Sequence, residues 1–390
     1  MKKTVMLLAL IAFYSIGVNG QDAKDTTLQI SGSADVYYKY DFSESAFNSK
    51  PYSSDYALGT KENAIDFGLL NLKINKQFNK ASITADLAFG SRANDQSINN
   101  AVFAYYIQNL YFSYQAKKEL SISAGVMYRY ETYEKLAAVD NFNYFMSNAY
   151  IEQRKVPARS VGIKAKYVFS DKLNLSVGLF NTIDMTAAQP NPADYIVNPN
   201  AQGLSDISVQ LVLKPIKDLE LSAAIWHEGQ KNKGNHLNFQ TRYTLASGLH
   251  LGLDINNYSG SDTATELANS YNNFTSEAIY IQKPFNSVFT LGARFEHMQR
   301  EENASANLAA YVTPAASLGY LKENYNIITL TGVEKVGSLS FKQELKYDLT
   351  DKGNVYSPFI EKNPVTVGGQ QTSVKTNSSV QFVLAAVYSF

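Results

Sequence analysis

The sequence has no cysteine and only one tryptophan in 390 residues. Without cysteine no disulfide framework can hold the fold. An excess of charge of one sign is also missing, since 35 basic residues stand against 35 acidic ones. That balance leaves no basic footprint, so nucleic acid is not an expected partner. Beyond residue 20 no stretch approaches the ~18 consecutive apolar residues of a spanning helix. Histidine is scarce: His227, His236, His250 and His297 are the four, and none sits in an HExxH spacing. The pair His227-Glu228 reads as a strand-end rim position. No glycine-rich phosphate loop opens a helix, and Gly368-Gly369 reads as loop. Nothing groups a Ser/His or Asp/His set, so no catalytic residue, metal or cofactor is expected.

The first twenty residues have the character of an address. Lys2 and Lys3 precede the apolar run Val5 to Ile16, and Val18-Asn19-Gly20 offers small residues before Gln21. This predicts a secretory signal peptide over 1–20 and a single domain over 21–390. An exported chain lacking both spanning helices and disulfides is either a soluble periplasmic protein or a membrane barrel.

What the sequence does have decides between them. Tyrosine (27) and phenylalanine (21) are abundant, as in barrels with aromatic interfacial girdles. Segments of about ten residues alternate apolar and polar side chains, the period of a strand with two unlike faces. Leu339, Phe341, Leu345, Tyr347 and Leu349 alternate with Ser340, Lys342, Glu344, Lys346 and Asp348. The same pattern recurs at 173–179, 207–213, 249–256 and 289–296. Near Phe67 the parity slips, from Ile65, Phe67 and Leu69 to Leu70, Leu72 and Ile74, which predicts a bulge.

Short turns, for example at 78–80, 170–172 and 335–337, alternate with long polar connections near 43–63, 91–104, 131–157, 186–203, 258–275, 299–320 and 350–374. Only the connection near 229–235 is brief. Such a rhythm suits a membrane barrel, with short periplasmic turns and long external loops. The count is about sixteen strands, within a range of fourteen to eighteen, and predicts an all-β, antiparallel up-and-down transmembrane barrel with both termini periplasmic. In hydrocarbon an unpaired backbone group costs several kcal/mol, so the sheet must close. Closure would pair a first strand near Leu28–Phe42 with a last near Val374–Phe390. Lipid would solvate the apolar face, so no internal hydrophobic core is expected. A cylinder of this width leaves an aqueous channel.

The run Ser31-Gly32-Ser33-Ala34-Asp35-Val36-Tyr37-Tyr38-Lys39-Tyr40-Asp41-Phe42 resembles the first strand of the β-barrel porin (OmpL-like) family. Ile122-Ser123-Ala124-Gly125 leading to Tyr130-Glu131, Ser160 to Ala165, Gly178-Leu179-Phe180-Asn181 and the closing Val383 to Phe390 are similar to it as well. The resemblance spans most of the chain beyond residue 20. It implies an outer-membrane porin-like barrel and supplies no catalytic residue or substrate. The alternating last strand ending in Tyr388 and Phe390 resembles the sorting signal read by barrel-assembly machinery.

Two sets of residues are candidates for the pore. By analogy with the inward third loop of general porins, 131–157 is the expected constriction, carrying Glu131, Glu134, Asp140 and Glu152 against Arg154, Lys155 and nearby Arg159. Opposite charges there would set a local field on passing solutes. Alternation points Lys39, Lys73, Arg129, Lys164, Lys166, Arg242, Arg294, Lys342 and Lys346 into the lumen. On the same grounds Asp35, Asp41, Asp86, Glu220, Asp254, Glu296, Glu344 and Asp348 face inward. The signs nearly balance, which predicts weak ion selectivity. Tyr105, Tyr106, Tyr111, Tyr114, Tyr128, Tyr130 and Tyr133 bracket two strands, as girdle anchors or as a sugar-stacking slide. The expected function is passive diffusion of ions and small hydrophilic solutes through an outer-membrane pore embedded in lipid, with a homo-oligomer possible. The alternative is an occluded structural or adhesive barrel whose external loops bind partners.

Overall fold

A strand with one apolar and one polar face can be satisfied at both edges and both faces only in a closed sheet. The computed structural model describes residues 27–42, 63–95, 106–147, 150, 159–181, 203–229, 234–260, 273–303, 320–350, 361–367, 370–375 and 378–390. The predicted signal peptide lies outside them.

The strands in chain order are β1 (Gln29–Asp41), β2 (Ala64–Phe78), β3 (Ala81–Phe89), β4 (Ile107–Lys117), β5 (Leu120–Tyr128) and β6 (Arg159–Ser170). Then follow β7 (Leu173–Asn181), β8 (Leu204–Leu213), β9 (Leu219–His227), β10 (Asn235–Thr244), β11 (His250–Ser259) and β12 (Phe274–Pro284). The last six are β13 (Phe289–Asn303), β14 (Tyr320–Val336), β15 (Leu339–Thr350), β16 (Glu361–Val367), β17 (Gln370–Lys375) and β18 (Ser378–Ser389). A five-residue helix, α1 (Ser91–Asp95), follows β3.

Sixteen of these strands form one closed antiparallel barrel, each beside its chain neighbour, with β18 between β15 and β1. The expected strand number and closure are met. One connection differs from expectation: the segment after β15, read as polar loop, contains β16 and β17 paired as a separate hairpin. Gly368-Gly369 lies between those two strands, outside the described residues. Closure is sealed where Gly32 N–H donates to Phe390 O at 2.9 Å and Phe390 N–H donates to Gly32 O at 3.0 Å. A side chain at residue 32 would run into the Phe390 ring, only 2.8 Å from an added Cβ.

The turns joining β2–β3, β4–β5, β6–β7, β8–β9, β10–β11, β12–β13 and β14–β15 are all short and share one end of the barrel with the start of β1 and the end of β18. Residues that tolerate left-handed backbone occupy several of them, including Asn79 (φ 50°), Asp218 (φ 60°) and Gly337 (φ 60°). The parity slip near Phe67 is a bulge opposite Asp35 and Val36. Ile65 and Phe67 stay exposed on the outer face, Leu69 turns fully inward, and Leu70 is outward again.

The outer face is apolar, with Leu237, Phe239, Ile279, Leu291, Ile328 and Leu345 among its exposed side chains. The interior departs from the expectation that no core is needed. Tyr37, Ala138, Tyr144, Phe145, Val383, Ala385 and Val387 form a buried apolar cluster inside the barrel. Others gather around Met146 with Met298 and Ile327, and around Leu69 with Leu136 and Ala137. Each contains residues between 136 and 150. The reason is that this connection lies within the barrel and brings apolar side chains that need cover.

Candidate functional site

Strand β5 ends at Tyr128, and β6 begins at Arg159. Between them, residues 129–147 run inside the barrel and are bound to the wall on three sides.

The first attachment is to β8–β10. The Arg129 guanidinium donates to Asp206 at 2.6 Å, and Ser208 Oγ donates to the Arg129 carbonyl at 2.9 Å. Arg129 also stacks over Trp226, 3.8 Å from the ring centre. Gln210 accepts from Glu131 N–H at 3.0 Å, and Gln240 donates to Glu131 O at 3.0 Å. Arg242 donates to Tyr133 O at 2.9 Å. Tyr130 Oη and His236 Nδ1 share a hydrogen bond of 3.0 Å.

The second attachment is to β12–β15. Arg294, fully buried, donates to Glu134 at 2.8 Å and to the Phe145 carbonyl at 2.8 Å, and pairs with Glu296 at 2.7 Å. Glu134 also accepts from Tyr280 Oη and from Ser147 N–H. The Glu344 carboxylate takes the N–H groups of Tyr144 and Phe145, each at 2.8 Å. Lys342 donates to the carbonyls of Ala138 and Asn141 at the 3-10 turn Ala138–Asp140. Charges that fix backbone groups in this way are strong, because the donor or acceptor is ionised and the groups are buried.

The third attachment reaches β1 and α1. Tyr144 Oη donates to Asp35 at 2.6 Å, while Arg92 lies over the Tyr144 ring and pairs with Asp35 at 3.4 Å. Burial pushes the Tyr144 phenol well above its usual range, so it serves as a neutral donor. Burial likewise pushes Tyr133 up to about 12.

Inward-facing glycines make room for the rings of this segment. A Cβ at Gly252 would strike the Tyr133 phenol, one at Gly292 the Phe142 ring, and one at Gly68 the Asp35 carboxylate and the Tyr144 hydroxyl.

Among the described residues, two spaces lie beside the segment. The larger, of about 450 Å³, separates it from β2–β5 and is lined by Lys73, Asp86, Gln108, Glu131, Lys135 and Asp140, among others. The smaller, of about 290 Å³, lies on the β10–β12 side between Tyr133, Phe142, Arg242, His250 and Gln282.

Of the loop residues singled out in the sequence, Glu131 and Asp140 reach the larger space, bound to Lys135 and Lys73 respectively. Glu134 instead lies buried on Arg294. Arg159 donates to Gln108 on the neighbouring wall. Glu152, Arg154 and Lys155 lie outside the described residues, as does the side chain of Asp41. Among the wall residues, Lys39, Asp254, Arg294, Glu296, Lys342, Glu344, Lys346 and Asp348 are all buried inside. Lys346 pairs with Asp348 at 3.1 Å, and Arg242 with Glu220 at 3.5 Å. Lys73, Asp86, Lys164 and Lys166 retain exposure to the lumen. Arg129 belongs to the inward segment and not to the wall. Tyr130 and Tyr133 are loop anchors and not girdle residues, and Tyr105 lies outside the described residues. Asp206, Arg92, His236 and the three glycines carry attachments that sequence reasoning did not assign. The glycines had a visible signal, for Gly252 and Gly292 occupy polar-face positions of alternating strands.

Comparison with curated protein sequences finds no match. Among solved structures the chain is similar to the trimer form of the outer membrane protein OmpT of Vibrio cholerae, with 12% identity, a TM-score of 0.56, and coverage of 93% of this chain and 99% of that one. It is similar to OprB of Pseudomonas putida, with 12% identity, a TM-score of 0.55 and coverage of 93% and 94%. The outer membrane channel DcaP of Acinetobacter baumannii aligns with 11% identity, a TM-score of 0.54 and coverage of 93% and 97%. At such identities the likeness shows the fold. The family described as "Putative beta-barrel porin-2, OmpL-like" matches residues 27–390. The chain therefore belongs to this family of outer-membrane β-barrel porins, as its opening and closing strands had suggested, and is a bacterial outer-membrane channel for passive diffusion.

Proposed function

We propose that ions and small hydrophilic solutes cross between the inward segment and the wall of β2–β6. One observation carries this reading: residues 129–147 are bound closely to β8–β10, β12–β15 and β1, while towards β2–β5 they meet the wall at Lys73 and around Leu69 and leave the larger space. Glu131, Lys135 and Asp140 border it from the segment, and Lys73 and Asp86 from the wall. The short turns and both termini face the periplasm, because long connections gather at the opposite end. Tyr388 and Phe390 act as the assembly signal, and a homo-oligomer fits the trimer recorded for OmpT, a question that cross-linking in native membranes answers.

The test is single-channel recording in a planar bilayer with the intact protein and with residues 135–145 removed. Steady openings that become several-fold larger on deletion support the reading. Folded, inserted protein that passes no current, with current only after deletion, would favour an occluded barrel whose long connections bind partners.

A further inference from the structure

Charge in the lumen is unevenly usable. Arg92 with Asp35, Arg129 with Asp206, Arg294 with Glu134 and Glu296, and Lys346 with Asp348 are all buried pairs. They neutralise one another out of reach of a solute. The near balance of the whole lumen, which led to an expectation of weak selectivity, counts these silent charges together with the exposed ones.

The open side has a different balance. Among the described residues of this side and the adjoining β6, four ammonium groups, Lys73, Lys135, Lys164 and Lys166, meet three carboxylates, Asp86, Glu131 and Asp140. Lys73 and Asp140 bind each other at 2.7 Å. Asp86 accepts from Asn71 at 2.6 Å. What remains is a cluster about one carboxylate. Glu131, with its side chain 69% exposed, binds Lys135, and Lys164 and Lys166 lie within electrostatic reach. The depth of Glu131 in the lumen pushes its carboxyl up, but Lys135, Lys164 and Lys166 outweigh this and hold it below the usual range, so it stays charged. Lys164 and Lys166 alternate with the outward Ile163, Ala165 and Tyr167 on β6, so both point inward. Lys164 Nζ donates to the Tyr128 carbonyl at 3.1 Å, and Lys166 is exposed and makes no ion pair with the described residues.

We propose that Lys135, Lys164 and Lys166, gathered around the single carboxylate of Glu131, form an anion subsite that makes this porin prefer solutes bearing a carboxylate or phosphate. The proposal rests on the reading that solutes cross on this side of the inward segment. Three positive groups and one negative one leave an excess that the low-dielectric wall does not screen. Lysine suits transit. Its ammonium is a flexible point charge with three donors, so it can pass an anion on where a bidentate arginine would hold it. Glu131 acts as a resident competitor, which keeps occupancy brief.

The experiment is the reversal potential of the intact protein in a planar bilayer across a potassium chloride gradient, for wild type, K164Q/K166Q and E131Q. Wild type is expected to favour chloride by about threefold or more, the effect of one charge felt at about 7 Å in a water-like dielectric. K164Q/K166Q loses the preference, and E131Q strengthens it. Inorganic phosphate added to one side reduces the chloride current of wild type and spares the double variant. K166E serves as a second probe, since its exposed position makes misfolding no explanation for a reversed sign. Current without anion preference in wild type, or preference surviving in K164Q/K166Q, overturns the subsite alone. Absence of current from folded protein overturns the pore reading and the subsite with it.

Discussion

The two sides of the barrel are built from the same alternating pattern and yet end in different physical states. On β12 the inward residues Phe274, Ser276, Ala278 and Tyr280 are all buried. On β6 the inward residues Lys164 and Lys166 remain half-buried and exposed. The difference lies in what stands opposite. Around β8–β15 the inward segment covers the wall, and the charges there act as fasteners. Along β2–β5 the wall faces the larger cavity, with the lysines of β6 beside it, and the charges can act on solute. Alternation therefore tells which face of a strand is inside, and only the tertiary path of residues 129–147 tells whether inside means packed or wet.

The comparison is broken most severely by removing the central fastener. Arg294 joins β13 to Glu134 and two backbone carbonyls of the segment, and pairs with Glu296 on its own strand. Replacing it with Met leaves two buried carboxylates without a cation, which costs about 3–5 kcal/mol. Arg294→Met is expected to lower stability to denaturant in lipid or detergent by that order, and to raise conductance as the segment loosens. Unchanged stability and conductance would mean that the segment is held elsewhere and that the packed side is not organised around this residue.

A pH effect of somewhat smaller size belongs to the rim of the packed side. Glu228, just beyond β9, is raised to about 7, first by burial, with Asp206 adding and Arg129 opposing. It accepts from Tyr258 Oη at 3.2 Å. A carboxyl whose folded value exceeds its unfolded one, near 4.3, binds more protons when folded. Stability is therefore greatest below the unfolded value and declines as pH rises through about 7, by up to about 4 kcal/mol at ~1.4 kcal/mol per unit. Glu228→Gln should flatten this decline between pH 5 and 8 in denaturant titrations. A decline of equal size in the variant would assign it to another group.

Next in size are the glycine sockets. Gly252→Ala puts a methyl group where the Tyr133 phenol lies, an overpacking worth about 1–3 kcal/mol. If the socket is the cause, Tyr133→Ala in the same chain recovers part of the loss, a coupling that a double-mutant cycle measures. Additive losses would show that Gly252 and Tyr133 do not share the constraint.

Much of this was legible in the sequence. The period of two, the rhythm of short and long connections, and the apolar face of 380–390 led to sixteen strands closed by the last upon the first. The bulge near Phe67 showed as a slip of parity. The inward course of 131–147 could be expected only by analogy, and its fasteners not at all. Arg294 and Glu134 are 160 residues apart, and nothing local in either strand or loop says that they meet. Asp206, Arg92 and His236 escaped for the same reason, since their roles arise from the approach of a distant segment. The internal apolar clusters were missed because the solvation argument assigned all apolar burial to lipid and left none for a loop inside the barrel.

The smallest effect tests the open side. Lys73 and Asp140 form the link from β2 to the inward segment, 2.7 Å apart and with side chains 41% and 35% exposed. A pair in contact with water is worth about 0–1 kcal/mol and weakens with salt. Lys73→Met is therefore expected to change stability by less than ~1 kcal/mol, with any change fading as ionic strength rises. It should also increase the open-channel noise, because the free edge of the segment loses its tether while its opposite edge stays bound to Lys342 and Glu344. A loss of several kcal/mol would show that the segment is fastened as firmly on β2 as on β13. The space between them would then be a packing gap and not a path for solutes, and the contrast between the two sides would fail.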